Sequence, residues 1–213
     1  MELTWFGHSC FRLRSQRATA ILDPFAPSLG YAWPADRTAQ VVTTSHDHTG
    51  HNHTDSVGGS PRVLRQPGEY QVSGMLALGY PSFHDDAQGQ NRGRNIIFCL
   101  EADGLWLCHL GDLGHLPSAD LVSQLTPVDV LLVPVGGVTT LSPSQAVETI
   151  TRLEPRIVVP MHYQTPAARP DLAPLERFLK EMGLAEATPQ PRLTLSRSGL
   201  PQERRVVVLD YPR

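Results

Sequence analysis

Apolar residues gather into short runs that recur along the whole chain. Ala18–Leu22, Gln40–Thr44, Leu78–Phe83, Asn95–Leu100, Leu105–Leu110, Asp129–Val135, Arg156–Pro160 and Arg204–Leu209 all have strand length. Val and Ile are frequent in several of them, which favours strand over helix at this length. Several run apolar without alternation, as strands covered on both faces do. Three segments carry a helical period instead. Ser118–Leu125 predicts a short helix. Ser142 opens a second, with Pro143 in its first position and Gln145 in its third, a capping box. Ala146, Val147, Ile150 and Leu153 then share one face. A third starts near Asp171, carries Leu172, Leu175, Phe178, Leu179 and Met182, and stops at Gly183. Strands first, then strands alternating with helices, predict a layered α/β fold, a single domain over residues 1–213. Pro24–Ala39 and Asp85–Arg94 are long loops of the kind that shape binding mouths.

Composition narrows the classes. Of 213 residues, 40% are hydrophobic and 18% charged, enough apolar material for a core and too much for a disordered chain. The net charge of −3 argues against a phosphate-tracking surface, so nucleic acid is a poor partner. No run approaches the roughly 18 apolar residues of a membrane span. Met1–Phe6 lacks the basic and long apolar regions of a secretory leader. Cys10, Cys99 and Cys108 match no disulfide framework, and the last two sit in apolar runs as small hydrophobes. A cytoplasmic location is the expectation.

Histidine changes the picture. The chain has nine, and four fall between positions 46 and 53, in Ser45-His46-Asp47-His48-Thr49-Gly50-His51-Asn52-His53. Neutral imidazole is the commonest nitrogen ligand for metals. The cluster follows the strand Gln40–Thr44. His46 and His48, at alternate positions of a strand end, can share one ion, and His51 can face a neighbouring one. Three more candidates end strands: His84 after Phe83, Asp112 after Leu105–Leu110, and His162 after Arg156–Pro160. His109, inside an apolar strand, reads as a core residue or a brace behind the ligands. His8 reads equally as a residue near the metals and as a structural turn residue. The roles of His53 and His115 stay open between brace, pocket wall and surface.

The order of these residues resembles the metallo-β-lactamase-fold hydrolase superfamily, marked by H-x-H-x-D-H followed by a separate His, an Asp and a last His. Within it the chain resembles the zinc-dependent hydrolase-like branch related to ascorbate-6-phosphate-lactonase-type proteins. Gly7-His8-Ser9, Asp23-Pro24, Pro67-Gly68-Glu69-Tyr70, Ser82-Phe83-His84-Asp85, Gly111-Asp112-Leu113-Gly114-His115, Pro134-Val135-Gly136-Gly137 and Pro160-Met161-His162-Tyr163 support the match, which spans about residues 3 to 165. The resemblance implies a four-layer αββα sandwich with metals at one edge of two sheets. It implies that His46, His48 and His84 hold a first metal, that His51 and His162 hold a second, and that Asp112 bridges them. Asp23 would brace the histidine loop, as carboxylates behind metal ligands do.

One departure matters. Where the motif has a metal-ligating Asp, this chain has Gly50. The second position can survive with His51, His162 and Asp112, a set that suits Zn, Mn or Fe. Asp47 or Asp55 can supply the missing carboxylate. Or one metal alone binds tightly, and activity is altered or absent. The implied cofactor is one or two Zn ions, with Mn or Fe as alternatives.

The implied chemistry is hydrolysis by metal-activated water, which needs no Ser or Cys nucleophile. Asp112 and Asp47 are the catalytic candidates. Arg92 or Arg94, in the loop after His84, can clamp an anionic substrate, or the loop is a hairpin with solvated charges. Gly136-Gly137 allows close backbone approach to a substrate or serves a turn. The main reading is a metal-dependent hydrolase acting on an ester-like bond, lactone or phosphoester, of a small molecule. The alternative is a metal-binding protein of the same fold that has lost hydrolysis, as scaffold or sensor, with Gly50 as its motive. A nuclease of this fold is opposed by the acidic balance. A homo-oligomer, a dimer first, is the base-rate expectation.

Overall fold

The computed structural model describes residues 1–167 and 171–212. Its strands are β1 (Glu2–Gly7), β2 (Cys10–Arg14), β3 (Thr19–Leu22), β4 (Val41–Thr43), β5 (Arg62–Leu64), β6 (Gly68–Val72), β7 (Met75–Phe83), β8 (Arg94–Ala102), β9 (Leu105–His109), β10 (Val130–Pro134), β11 (Ile157–Met161), β12 (Leu193–Thr194) and β13 (Arg205–Val206). Its α-helices are α1 (Ala119–Leu125), α2 (Pro143–Leu153) and α3 (Leu175–Glu181).

The strands form two sheets, in the orders β12-β1-β2-β3-β4-β5 and β13-β11-β10-β9-β8-β7-β6. In the first, β1, β2 and β3 run antiparallel and β3, β4 and β5 parallel. In the second, β6 to β9 are antiparallel and β9, β10, β11 and β13 parallel. The facing surfaces bury Leu3, Trp5, Leu13, Ala20, Leu22 and Val41 from the first sheet with residues of β8 to β11 in one continuous core. β10 and β11 are buried at every position, which is why their sequences do not alternate.

α2 lies against β10 and packs on both α1 and α3. It buries Ala146, Thr149, Ile150 and Leu153, while Val147, read onto the same face from the sequence, is half-buried. Its capping box is formed, with the Gln145 amide donating to Ser142 Oγ and the Ser142 amide donating to Gln145 Oε1. A cap of this kind contributes about 1 kcal/mol. α3 begins at Leu175, not near Asp171, because Pro174 occupies its N-cap and the Ala173 amide is spent on the Gly136 carbonyl.

The two-sheet α/β fold is the expected one, with a difference in its outer layers. On the outer face of the first sheet the described residues form no α-helix. Ile21 and Val42 point outward there and are covered by Phe25, Leu29, Tyr31 and Trp33 from loop 24–39. Pro24, Pro27, Gly30 and Pro34 limit that segment to one 3-10 turn, Pro27–Leu29, and deny it an α-helix, so aromatic side chains provide the layer instead. No helix among the described residues is long and apolar enough to cross a membrane.

The pairings set direction. β1, β3, β4, β7, β9, β10 and β11 all end at one edge of the two sheets, where ligands bind in open α/β sheets. His8, Asp23, His46, His84, Asp112, Gly136 and His162 follow those ends within three residues.

Candidate metal centre

Asp112 sits at the middle of the strand-end cluster. Its Oδ2 lies 3.3 Å from His51 Nε2, 3.3 Å from His162 Nε2, 3.4 Å from His84 Nε2 and 3.9 Å from His46 Nε2. The four imidazoles and the carboxylate are buried. The structure therefore brings together His46, His51, His84, Asp112 and His162. His48 stacks edge-on with His46 at 4.5 Å between ring centroids and lies 5.4 Å from His84, with its own side chain exposed.

Ligand atoms converge in three groups among the described residues: His46, His48 and His84; His8, His51 and His162; and Asp23, His46 and His51. Within each group one nitrogen or oxygen per residue lies within 4.8 Å of the others. Asp47 and Asp55 join none of them. Asp47 is exposed and accepts a hydrogen bond from Asn52, and Asp55 is exposed in a short turn. Neither stands where a carboxylate on residue 50 would be.

Behind the ligands lies a hydrogen-bond frame. Asp23 accepts from the Ser45 amide at 2.7 Å and from Ser45 Oγ, and its Oδ2 is 2.8 Å from His51 Nδ1. Ser45 Oγ in turn is 2.9 Å from His46 Nδ1. One buried carboxylate thus orients two imidazoles. Asn95 has a comparable part: its Oδ1 accepts from the Asp112 amide while its Nδ2 donates to Ser82 Oγ and the Leu110 carbonyl. Neither Ser45 nor Asn95 is legible as a brace in the sequence, because each acts through a neighbour from another strand.

His109 and His115 are structural. His109 Nε2 donates to the Ser9 carbonyl at 2.8 Å and its Nδ1 accepts from the Gly111 amide, which fixes a neutral tautomer. His115 donates from Nδ1 to the Leu116 carbonyl and faces the Phe83 ring beside His84. His53 is half-buried and in none of the converging groups.

The glycines make room for backbone. A Cβ on Gly136 would lie 2.1 Å from the His162 carbonyl oxygen, and one on Gly114 2.4 Å from the His84 carbonyl carbon. The close approach at Gly136 is to the chain carrying His162. His8, Asp23 and His162 hold left-handed φ angles of 52°, 45° and 53°. Such backbone costs a non-glycine residue about 1–3 kcal/mol and clusters at functional sites.

Without a cation the cluster's electrostatics are divided. Burial pushes His51 down, but Asp112 and Asp23 outweigh it and raise it to about 10. Burial and the neighbouring His51 hold His46 at about 3. Burial acts to raise Asp112, yet His162 and His51 keep it well below the usual carboxylate range. Buried His46 Nε2 and Asp112 Oδ1 have no hydrogen-bond partner among the described residues. A buried unpaired polar atom costs about 1–3 kcal/mol, so atoms left this way at the centre of an imidazole cluster fit a cation. The donor set of imidazoles with one carboxylate suits a divalent transition-metal ion.

A cavity of about 830 Å³ opens on this cluster from the side of His46, Asp47 and His48. Arg65, Arg92 and Arg94 line it. Asp85, next to His84, shapes its wall. The carboxylate accepts four backbone hydrogen bonds, from the amides of Ala87, Gly89, Asn91 and Arg92 at 2.7–3.0 Å.

Comparison with known proteins agrees with this geometry. The family described as beta-lactamase superfamily domain matches residues 2–162. A UPF0173 metal-dependent hydrolase of Methanoculleus marisnigri is 32% identical over 202 residues, covering 84% of this chain and 89% of its own. A crystal structure from Thermotoga maritima, provisionally described as a Zn-dependent hydrolase of the metallo-beta-lactamase superfamily, superposes with a TM-score of 0.82 at 39% identity over 99% of both chains. The metallo hydrolase Igni18 of Ignicoccus hospitalis shares the fold, with a TM-score of 0.68 at 21% identity over 92% of this chain and 99% of that one.

Proposed function

From the premise that this chain belongs to the metallo-β-lactamase superfamily, among its metal-dependent hydrolases, we propose that it hydrolyses an ester-like bond, lactone or phosphoester, in a small anionic molecule. The observation that carries the substrate class is the cavity with three arginines opening on His46 and His48. A guanidinium lining such a cavity can bind a carboxylate or phosphate through two parallel N–H bonds.

His46, His48 and His84 would hold a first cation and His51 and His162 would contribute to a second, with the Asp112 carboxylate within reach of both sets of imidazoles. Zinc is favoured by the imidazole-rich set, with Fe and Mn as alternatives. Bound cations of this class lower the pKa of water from about 15.7 to about 7 and act as Lewis acids. The chain's own residues do the rest. Asp23 and Ser45 fix the ring orientations of His51 and His46. Arg92, Arg94 and Arg65 draw the anionic group into the cavity and hold the scissile bond toward the cluster. Asp47, exposed on the cavity wall, is placed to take up the proton of the attacking water and return it to the leaving group. The three free, buried cysteines suit a reducing cytoplasm.

The test is turnover of a phosphoester and lactone panel by metal-loaded protein. Activity is expected, with a loss of at least about 100-fold in His48→Ala, which removes a ligand. Gly50 favours the second reading, a metal binder without catalysis. A metal-loaded wild type silent on the panel, and equally silent as Gly50→Asp, would establish it.

A further inference from the structure

Gly50 is buried, and its φ lies outside the left-handed region, so its backbone does not require glycine. Space explains it. A Cβ built on Gly50 would lie 2.8 Å from His8 Nε2 and 3.0 Å from His8 Cδ2. The His8 ring fills the volume that a side chain at position 50 would enter.

His8 is also held there. Its carbonyl accepts from the His162 amide at 3.1 Å and from the Trp5 indole at 3.1 Å. Its left-handed φ of 52° turns the chain sharply at the end of β1. The ring centroid lies 4.3 Å from that of His162 and 4.9 Å from that of His51. All three residues are buried, and one nitrogen from each lies within 4.8 Å of the others. His51 Nδ1 is engaged by Asp23, which leaves Nε2, on the Asp112 side, as its ligand atom. Asp47 and Asp55 are both exposed and outside the group.

We propose that His8 is the third ligand of the second cation position, with His51 and His162, in place of a carboxylate on residue 50. The inference rests on the metal-dependent reading above. The missing Asp is exchanged for an imidazole from the end of β1. The exchange removes one negative charge from the centre. Six imidazoles and Asp112 then surround the ions, which favours zinc over manganese and leaves a more positive face toward the arginine-lined cavity.

Zinc per chain, measured by mass spectrometry after purification without chelator, tests this. Two ions are expected in wild type, one in His8→Ala, and two again in His8→Ala with Gly50→Asp, where the new carboxylate enters the vacated space. The double variant is expected to bind manganese at least about tenfold better relative to zinc than wild type does. Two ions in His8→Ala, or one in the double variant, would overturn the role of His8 while leaving the metal-dependent reading intact. One ion in wild type would overturn it as well, and none would remove the metal-dependent reading itself. Ring-nitrogen NMR of wild-type histidines gives a readout that needs no variant to fold. A His8 nitrogen is expected to move to the metal-bound range with the second zinc equivalent, and a stationary His8 signal would refute the assignment.

Discussion

Asp23 Oδ2 lies 2.8 Å from His51 Nδ1, with both side chains buried, so a carboxylate that touches no substrate decides how the central imidazole is oriented. The same carboxylate reaches His46 through Ser45. Carboxylates behind metal ligands carry about 10–100-fold in affinity. Asp23→Asn is therefore expected to weaken zinc binding by that factor, read by chelator competition, with the fold kept. Unchanged affinity would show that the contact is a packing feature.

His51 gives the metal-free chain a pH signature. Its folded value of about 10 stands above its ordinary 6.5. A raised imidazole contributes stability that is fully present below the ordinary value and is lost as pH rises through the folded one. Thermal unfolding of metal-free protein is expected to fall in temperature between pH 6.5 and 10, and this slope to vanish once zinc replaces the proton. Zinc binding at neutral pH is also expected to release a proton from His51, measurable by calorimetry in buffers of different ionisation enthalpy. A metal-free protein with flat stability across that window would contradict the ion-pair picture around His51.

Asp85 holds loop 85–94 through backbone amides alone, so it acts on Arg92 and Arg94 by position. Asp85→Ala is expected to speed amide hydrogen exchange at residues 87–92 and to raise KM for anionic substrates about tenfold with a smaller change in kcat. A neutral analogue is expected to show no KM change. Equal effects on both substrates would remove the arginines from recognition.

Gly136→Ala tests whether close approach at that glycine serves the ligand strand. Its Cβ would meet the His162 carbonyl at 2.1 Å. Overpacking of this kind costs roughly 1–3 kcal/mol. That corresponds to a Tm lower by about 2–12 °C for a chain of this size, and zinc content is expected to fall with it. An unchanged Tm with altered substrate affinity would return Gly136 to a substrate-facing role.

The legible parts of the sequence were those with local causes. α2 follows from Ser142, Pro143, Gln145 and an apolar stripe, all within one segment. The strands of the second sheet are apolar because both faces are covered. β1 and β2 do not show a strand pattern in the sequence. Their Arg12 and Arg14 are drawn out to Asp36, and Gly7 and His8 turn the chain between them, so only the assembled sheet shows the pattern. The start of α3 was set by a contact between Ala173 and Gly136, far away in sequence. The site was legible as far as residue type and strand end could carry it. His46, His48, His51, His84, Asp112 and His162 do gather in space. His8 could not be ranked, because its importance lies in the empty side of Gly50, 42 positions later.

The central claim is that imidazoles from separate strands share cations around Asp112. Anomalous X-ray diffraction at the zinc edge, on crystals grown without chelator, addresses it most directly. The account expects one ion about 2.0–2.1 Å from nitrogens of His46, His48 and His84 and a second at the same distance from His8, His51 and His162, with Asp112 beside both. Zinc-saturated crystals with no anomalous peak at these side chains would contradict it.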